Sequence, residues 1–159
     1  MKMSKFILGL AILLLTGPAL AEDKADHLAI IVNKKSGVDN LALAQLTKIF
    51  RGERPRDPQG NKFVILMREK DSAERSAVLK IVYAMSEQEY QKYFLQATFT
   101  GAVQSAPKQV NGAAATITFV ANNPGAIGYV RASEVDDSVA VVKVDGKAPG
   151  EDGYGVKLK

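Results

Sequence analysis

Four short apolar runs, Leu28–Val32, 63–67, 126–130 and 139–144, alternate with segments whose apolar residues recur at three- and four-residue spacing. Runs of this length are strands, and the intervening period is helical, so the pattern predicts an α/β fold with a mixed sheet flanked by helices. Leu28–Val32 has no polar residue and is expected to lie inside the sheet. Leu43, Leu46, Ile49 and Phe50 share one helix face behind Asp39 or Asn40 as cap. A second helix starts near Asp71-Ser72 and carries Val78, Leu79, Val82 and Tyr83, with Asp71 and Glu74 spaced as a capping box. Ser86 and Glu89 form another box ahead of Tyr90, Tyr93, Phe94 and Ala97, which read as a core face. A fourth helix is predicted over 110–120, weakened by Gly112 and by Thr116, Ile117 and Thr118. About four strands and four helices result, with no internal repeat.

Residues 1–21 fall outside this pattern. Lys2 and Lys5 precede an apolar stretch over 6–15, and Ala19-Leu20-Ala21 has the small-x-small form of a cleavage site, so the segment reads as a secretory signal peptide. The expected mature chain begins at Glu22 and holds one binding-protein-like domain over 22–146. The last residues, 147–159, are rich in Gly and Pro and are expected to be loosely held. The apolar stretch is shorter than the ~20 residues a bilayer crossing needs. The expected product is a soluble periplasmic or secreted protein without stable membrane insertion after cleavage.

The chain of 159 residues has no cysteine, which excludes disulfides, thiolate nucleophiles and thiol-held metals. Its formal charge of +4 falls to about +2 once Lys2 and Lys5 leave. Scattered bases at that balance give no nucleic-acid footprint. His27 is the only histidine and is expected at the surface, so a histidine-centred triad or metal site is excluded by count. The adjacent pairs Asp136-Asp137 and Glu22-Asp23 point apart, and no Gly-x-Ser-x-Gly elbow or phosphate-cradling glycine loop is present. A non-enzymatic protein without metal or cofactor is expected.

The segment 68–75, Arg-Glu-Lys-Asp-Ser-Ala-Glu-Arg, stands where a strand turns into a helix. Helix starts present unpaired amides, and an arginine adds a planar fork suited to two oxygens of an oxyanion. Arg68, the Ser72 hydroxyl and the amides of Ser72 and Ala73 are the candidate donors, with Arg75 as a second cation. An ordinary capped helix start, with Asp71 and Glu74 consuming the amides and Glu69 and Glu74 repelling anions, accounts for the same residues.

Leu28 to Asn33, the Leu46-x-x-Ile49-Phe50-x-Gly52 segment, Arg68-x-x-Asp71-Ser72, Phe99-Thr100-Gly101 and the string Asn123-Pro124-Gly125-Ala126-Ile127-Gly128-Tyr129-Val130 follow one another in this order. Taken together they resemble the phosphate-binding periplasmic proteins of ABC transporters. The resemblance covers 28–144 and implies a domain of the type II periplasmic binding protein fold. It implies that Arg68 and Ser72 hold the anion; the candidate anion-binding residues are Arg68, Ser72, Ala73, Arg75, Thr100 and Gly101, with Gly125 and Gly128 as structural glycines. Ala73 stands where that family usually has glycine, and Glu74 where it usually has threonine. The implied function is an exported binding protein for phosphate or a similar oxyanion, with an ABC transporter or envelope protein as partner. A homo-oligomer that completes a half-cleft is a further implied partner. The alternative is an envelope structural or interaction protein that keeps the scaffold without small-molecule binding. An acceptor carboxylate for a protonated phosphate would come from Asp39, Asp57 or Asp71.

Overall fold

The structure, a computed structural model, describes residues 26–54 and 56–159; the signal segment lies outside the described residues. Six strands form one sheet in the order β2-β6-β1-β5-β3-β4. They are β1 (Leu28–Val32), β2 (Asn40–Leu41), β3 (Val64–Arg68), β4 (Lys108–Val110), β5 (Ala126–Arg131) and β6 (Ala140–Val144). The helices are α1 (Leu43–Phe50), α2 (Ala73–Val78, continued by a π-helical turn, Leu79–Tyr83), α3 (Glu87–Phe99) and α4 (Ala113–Asn122).

β1 runs antiparallel to both β5 and β6, with Ile30 opposite Tyr129 and Val142. β3 is parallel to β5 and β4, and β2 is parallel to β6, so the sheet is mixed as expected. The unbroken apolar run of β1 has a direct cause: both faces are covered. Leu28, Ile30 and Val32 enter a large core under α1, α2 and α3, while Ala29 and Ile31 enter a smaller one under α4.

Gly128 explains how α4 reaches the sheet. A Cβ there would stand 3.1 Å from Thr116 Cγ2 and 3.3 Å from Leu66 Cβ, so the missing side chain admits a helix. Gly125 has φ +84°, and a Cβ would be driven into the Lys62 carbonyl oxygen.

Several expectations are corrected. β2 and β4, two and three residues long, lie outside the four predicted strands, and Val110 belongs to β4 and not to the fourth helix, which runs from Ala113 to Asn122. The α1 start is Ala42, whose amide donates to Gln45 Oε1, with neither Asp39 nor Asn40 as cap. Ser72 caps α2 in place of Asp71, which sits at φ 66° just before it. The Ser86–Glu89 box forms as spaced. His27 is buried against Tyr154 and accepts from the Gly150 amide. The final residues are docked: Tyr154 and Val156 are buried, Tyr154 Oη donates to the Leu28 carbonyl, and the Leu28 amide donates to that of Val156. That segment is a bracket on the outer end of β1.

Candidate anion-binding site

β3 delivers Arg68 at its C-terminal end, where the residue is 6 % exposed. Its backbone is clamped from two sides. The Arg68 amide donates to Tyr129 Oη at 3.0 Å, and its carbonyl accepts from Arg75 Nη1 at 2.8 Å. A buried, backbone-fixed arginine has little freedom to turn away, so whatever anion satisfies it must come to it.

That anion is a carboxylate of the chain itself. Arg68 Nε donates to Glu69 Oε2 at 2.9 Å and Nη2 to Glu69 Oε1 at 3.1 Å, a two-pronged contact. Glu69 Oε2 also accepts the Gly112 amide at 3.1 Å. Gly112 precedes α4 with φ 82° and offers no side-chain cap, so the positive end of that helix faces the carboxylate. The Arg68 bond, aided by the Gly112 amide, holds the Glu69 carboxyl well down, to about 2. Burial opposes charging of Arg68, but its bond to Glu69 wins and raises the guanidinium above its usual value. The third guanidinium nitrogen, Nη1, is buried and has no hydrogen-bond partner. It points away from the edge that Glu69 occupies.

The other predicted residues are used differently. Ser72 Oγ donates to the Glu69 carbonyl at 2.9 Å and accepts the Arg75 amide at 3.1 Å, so its hydroxyl is occupied by capping. Ala73 opens α2 on the exposed side. Arg75, 4 % exposed, is saturated: Nε and Nη2 donate to Glu87 at 2.8 Å each, Nη1 takes the Arg68 carbonyl, and the guanidinium lies 5.1 Å from the Tyr90 ring centre. It positions Arg68 by joining β3 to α3. Glu74 does not cap α2; its carboxylate accepts Arg131 Nε at 2.6 Å across the sheet end. Asp57 braces its own loop through the amides of Gln59 and Asn61.

Thr100 and Gly101 are not brought to this niche. They end α3, with Thr100 Oγ1 donating back to the Gln96 carbonyl and Gly101 at φ 74°. The turn leads into Val103, which lies against Gly52, beside the start of β3. Four residues of strand, about 13 Å, separate that end from Arg68. Conversely, Gly112 was visible in the sequence only as a weak helix residue. Its signal is a glycine before Ala113-Ala114-Ala115, a helix start with no side chain able to fill its amides.

Among the described residues no helix is long and apolar enough to cross a membrane. A sequence model of the PBP superfamily domain matches residues 25–157. The fold is similar to that of a Clostridium perfringens protein assigned as a phosphate ABC transporter substrate-binding protein and solved with phosphate bound. That match has 29% identity and a TM-score of 0.64 over 78% of this chain and 47% of that one. An ABC-type phosphate transport receptor of Vibrio cholerae aligns at 24% identity and TM-score 0.58, over 78% of this chain and 48% of its own. PstS of Borrelia burgdorferi aligns at 20% and 0.62, over 83% and 54%. The last two show the fold alone, and the chain spans about half the length of each. With the family model covering nearly all of the described residues and the sheet agreeing with solved relatives, the chain belongs to the PBP superfamily.

Proposed function

We propose that this chain is an exported, non-enzymatic binding protein for phosphate or a similar tetrahedral oxyanion. Glu69 occupies the place that the anion takes. The observation that carries this is the Nε–Nη2 fork of buried Arg68 and the Gly112 amide at the head of α4, all three donating to one partly exposed carboxylate. A carboxylate has two oxygens in one plane and can serve one edge of a guanidinium. A tetrahedral anion can take the same fork with two oxygens and the Gly112 amide with one of them, and it carries further oxygens for donors outside the niche. The Glu69 side chain is 35% exposed and regains water when it swings out. A ligand phosphate titrates to a protonated form that an acceptor can read, and sulfate does not; Asp71, exposed beside the niche, is the candidate reader.

The second wall of the cleft is proposed to come from another subunit, with an ABC transporter or envelope protein as the physiological partner. Calorimetric titration of the chain from Glu22 onward with phosphate and with sulfate tests the reading. Heat and thermal stabilisation at millimolar anion, both abolished in R68A, are expected, with affinity rising with protein concentration if a second copy supplies the wall. A flat titration overturns it.

One observation favours a second reading, an interaction protein without a small-molecule ligand. Arg68, Arg75 and Arg131 are each matched by a carboxylate, Glu69, Glu87 and Glu74, so the cluster is neutral as it stands. Absence of anion binding even after Glu69 is neutralised would leave this reading in place.

A further inference from the structure

At the opposite end of β3 the sheet has a gap. β4 begins opposite Leu66, so Val64 and Ile65 face no strand on that side, while β5 covers the other. Pro107, with no N–H for a ladder, stands just before β4 and marks where residues 101–107 leave the sheet. The space left is a groove of about 300 Å3. Phe63, Val64, Ile65 and Val103 give it an apolar floor. Arg54, Lys62 and Lys108 stand around it, all three exposed, and no carboxylate lines it. These three cations form no ion pair among the described residues, in contrast to Arg68, Arg75 and Arg131; the Lys108 ammonium lies 5.5 Å from the Phe119 ring centre.

We propose that this groove is a second binding site, specific for a small amphipathic anion, meaning an apolar chain or ring that ends in a carboxylate or phosphate. The size sets the first limit: at one water volume of about 30 Å3 per heavy atom, the groove holds roughly ten. The chemistry sets the second. An apolar floor gains by covering, which a hydrated inorganic ion cannot do, and three cations without a carboxylate partner in one concave rim attract a negative head group. The gap in the sheet supplies both, because the half-buried Val64 and Ile65 side chains are left without the cover that a longer β4 would give.

Octanoate is the probe, having an eight-carbon body and one carboxylate. Methyl and amide NMR shifts of the full mature chain are followed during titration with octanoate, octanol and inorganic phosphate. The expected result is octanoate shifts centred on Ile65 and Val103. They persist in R68A, which keeps this site distinct from the anion niche, and weaken roughly three- to tenfold in K62Q/K108Q. Both replaced lysines are exposed, so the double variant is expected to fold normally. Equal binding of octanol and octanoate overturns the assignment of an anion. No shift at millimolar octanoate, or shifts centred on Gly112 and Arg68, overturns the site.

Discussion

Replacing Glu69 with glutamine keeps the shape of the side chain and removes the charge that sits on Arg68. The displacement of the Glu69 carboxyl from 4.5 to about 2 corresponds at most to about 3 kcal/mol of interaction with the folded chain. The side chain is about one-third exposed, so solvent screening reduces this to about 1–2 kcal/mol. E69Q is therefore expected to unfold about 4–8 °C earlier at neutral pH without added anion. The sign with pH follows from a depressed carboxyl: the contribution is complete above 4.5 and disappears as pH falls toward 2. The wild type must lose more stability than E69Q across that window. Anion binding moves the other way. Wild-type phosphate must displace a contact worth about 1–2 kcal/mol, so E69Q should bind roughly five- to thirtyfold tighter. Phosphate at a hundred times its Kd adds about 2.7 kcal/mol and should recover the lost stability. Urea unfolding at several pH values, with and without phosphate, reads every quantity. An E69Q variant that binds phosphate no better than the wild type refutes the view that Glu69 stands in for the ligand.

Three further outcomes are expected. G125A should lose about 3 kcal/mol or more in urea unfolding, because its Cβ meets backbone carbonyl oxygen of Lys62 at a left-handed φ. Truncation before Gly153 removes the buried Tyr154 and Val156 and should cost about 3–5 kcal/mol; a truncated chain as stable as the full one would contradict the docking of this segment on β1. Above pH 10 the protein should destabilise progressively. Burial pushes the Tyr90 hydroxyl up to about 12, and Tyr83, Tyr129 and Tyr154 move the same way, so the unfolded chain ionises first. Phenolate absorbance that rises at pH 10 without unfolding would argue against buried hydroxyls.

The elements legible in the sequence are those whose signals fit within a few residues. The Leu43-Leu46-Ile49-Phe50 face, the Ser86–Glu89 box and the uniformly apolar β1 each state their own structure, because helix period, capping and two-sided burial are local or additive properties. β2 and β4 are too short to carry such a signal and exist because β6 and β3 offer them an edge. The arginine of the candidate site was identifiable from its position at a strand-to-helix turn; its partners were not.

Sequence order alone determined a sheet covered on both sides, a chain without thiol or histidine-cluster chemistry, and a cationic side chain at the end of β3. Tertiary structure decided what that cation meets. Arg68 and Glu69, neighbours in sequence, would point to opposite faces of a continuing strand and meet where β3 ends, and the amide that completes the niche comes from Gly112, 43 residues away. Arg75, spaced as a second ligand to an anion, is instead bound by Glu87 on the next helix. Charge pairs form between whichever groups the packed elements bring within about 3 Å, and a linear chain does not specify that distance until its sheet has closed.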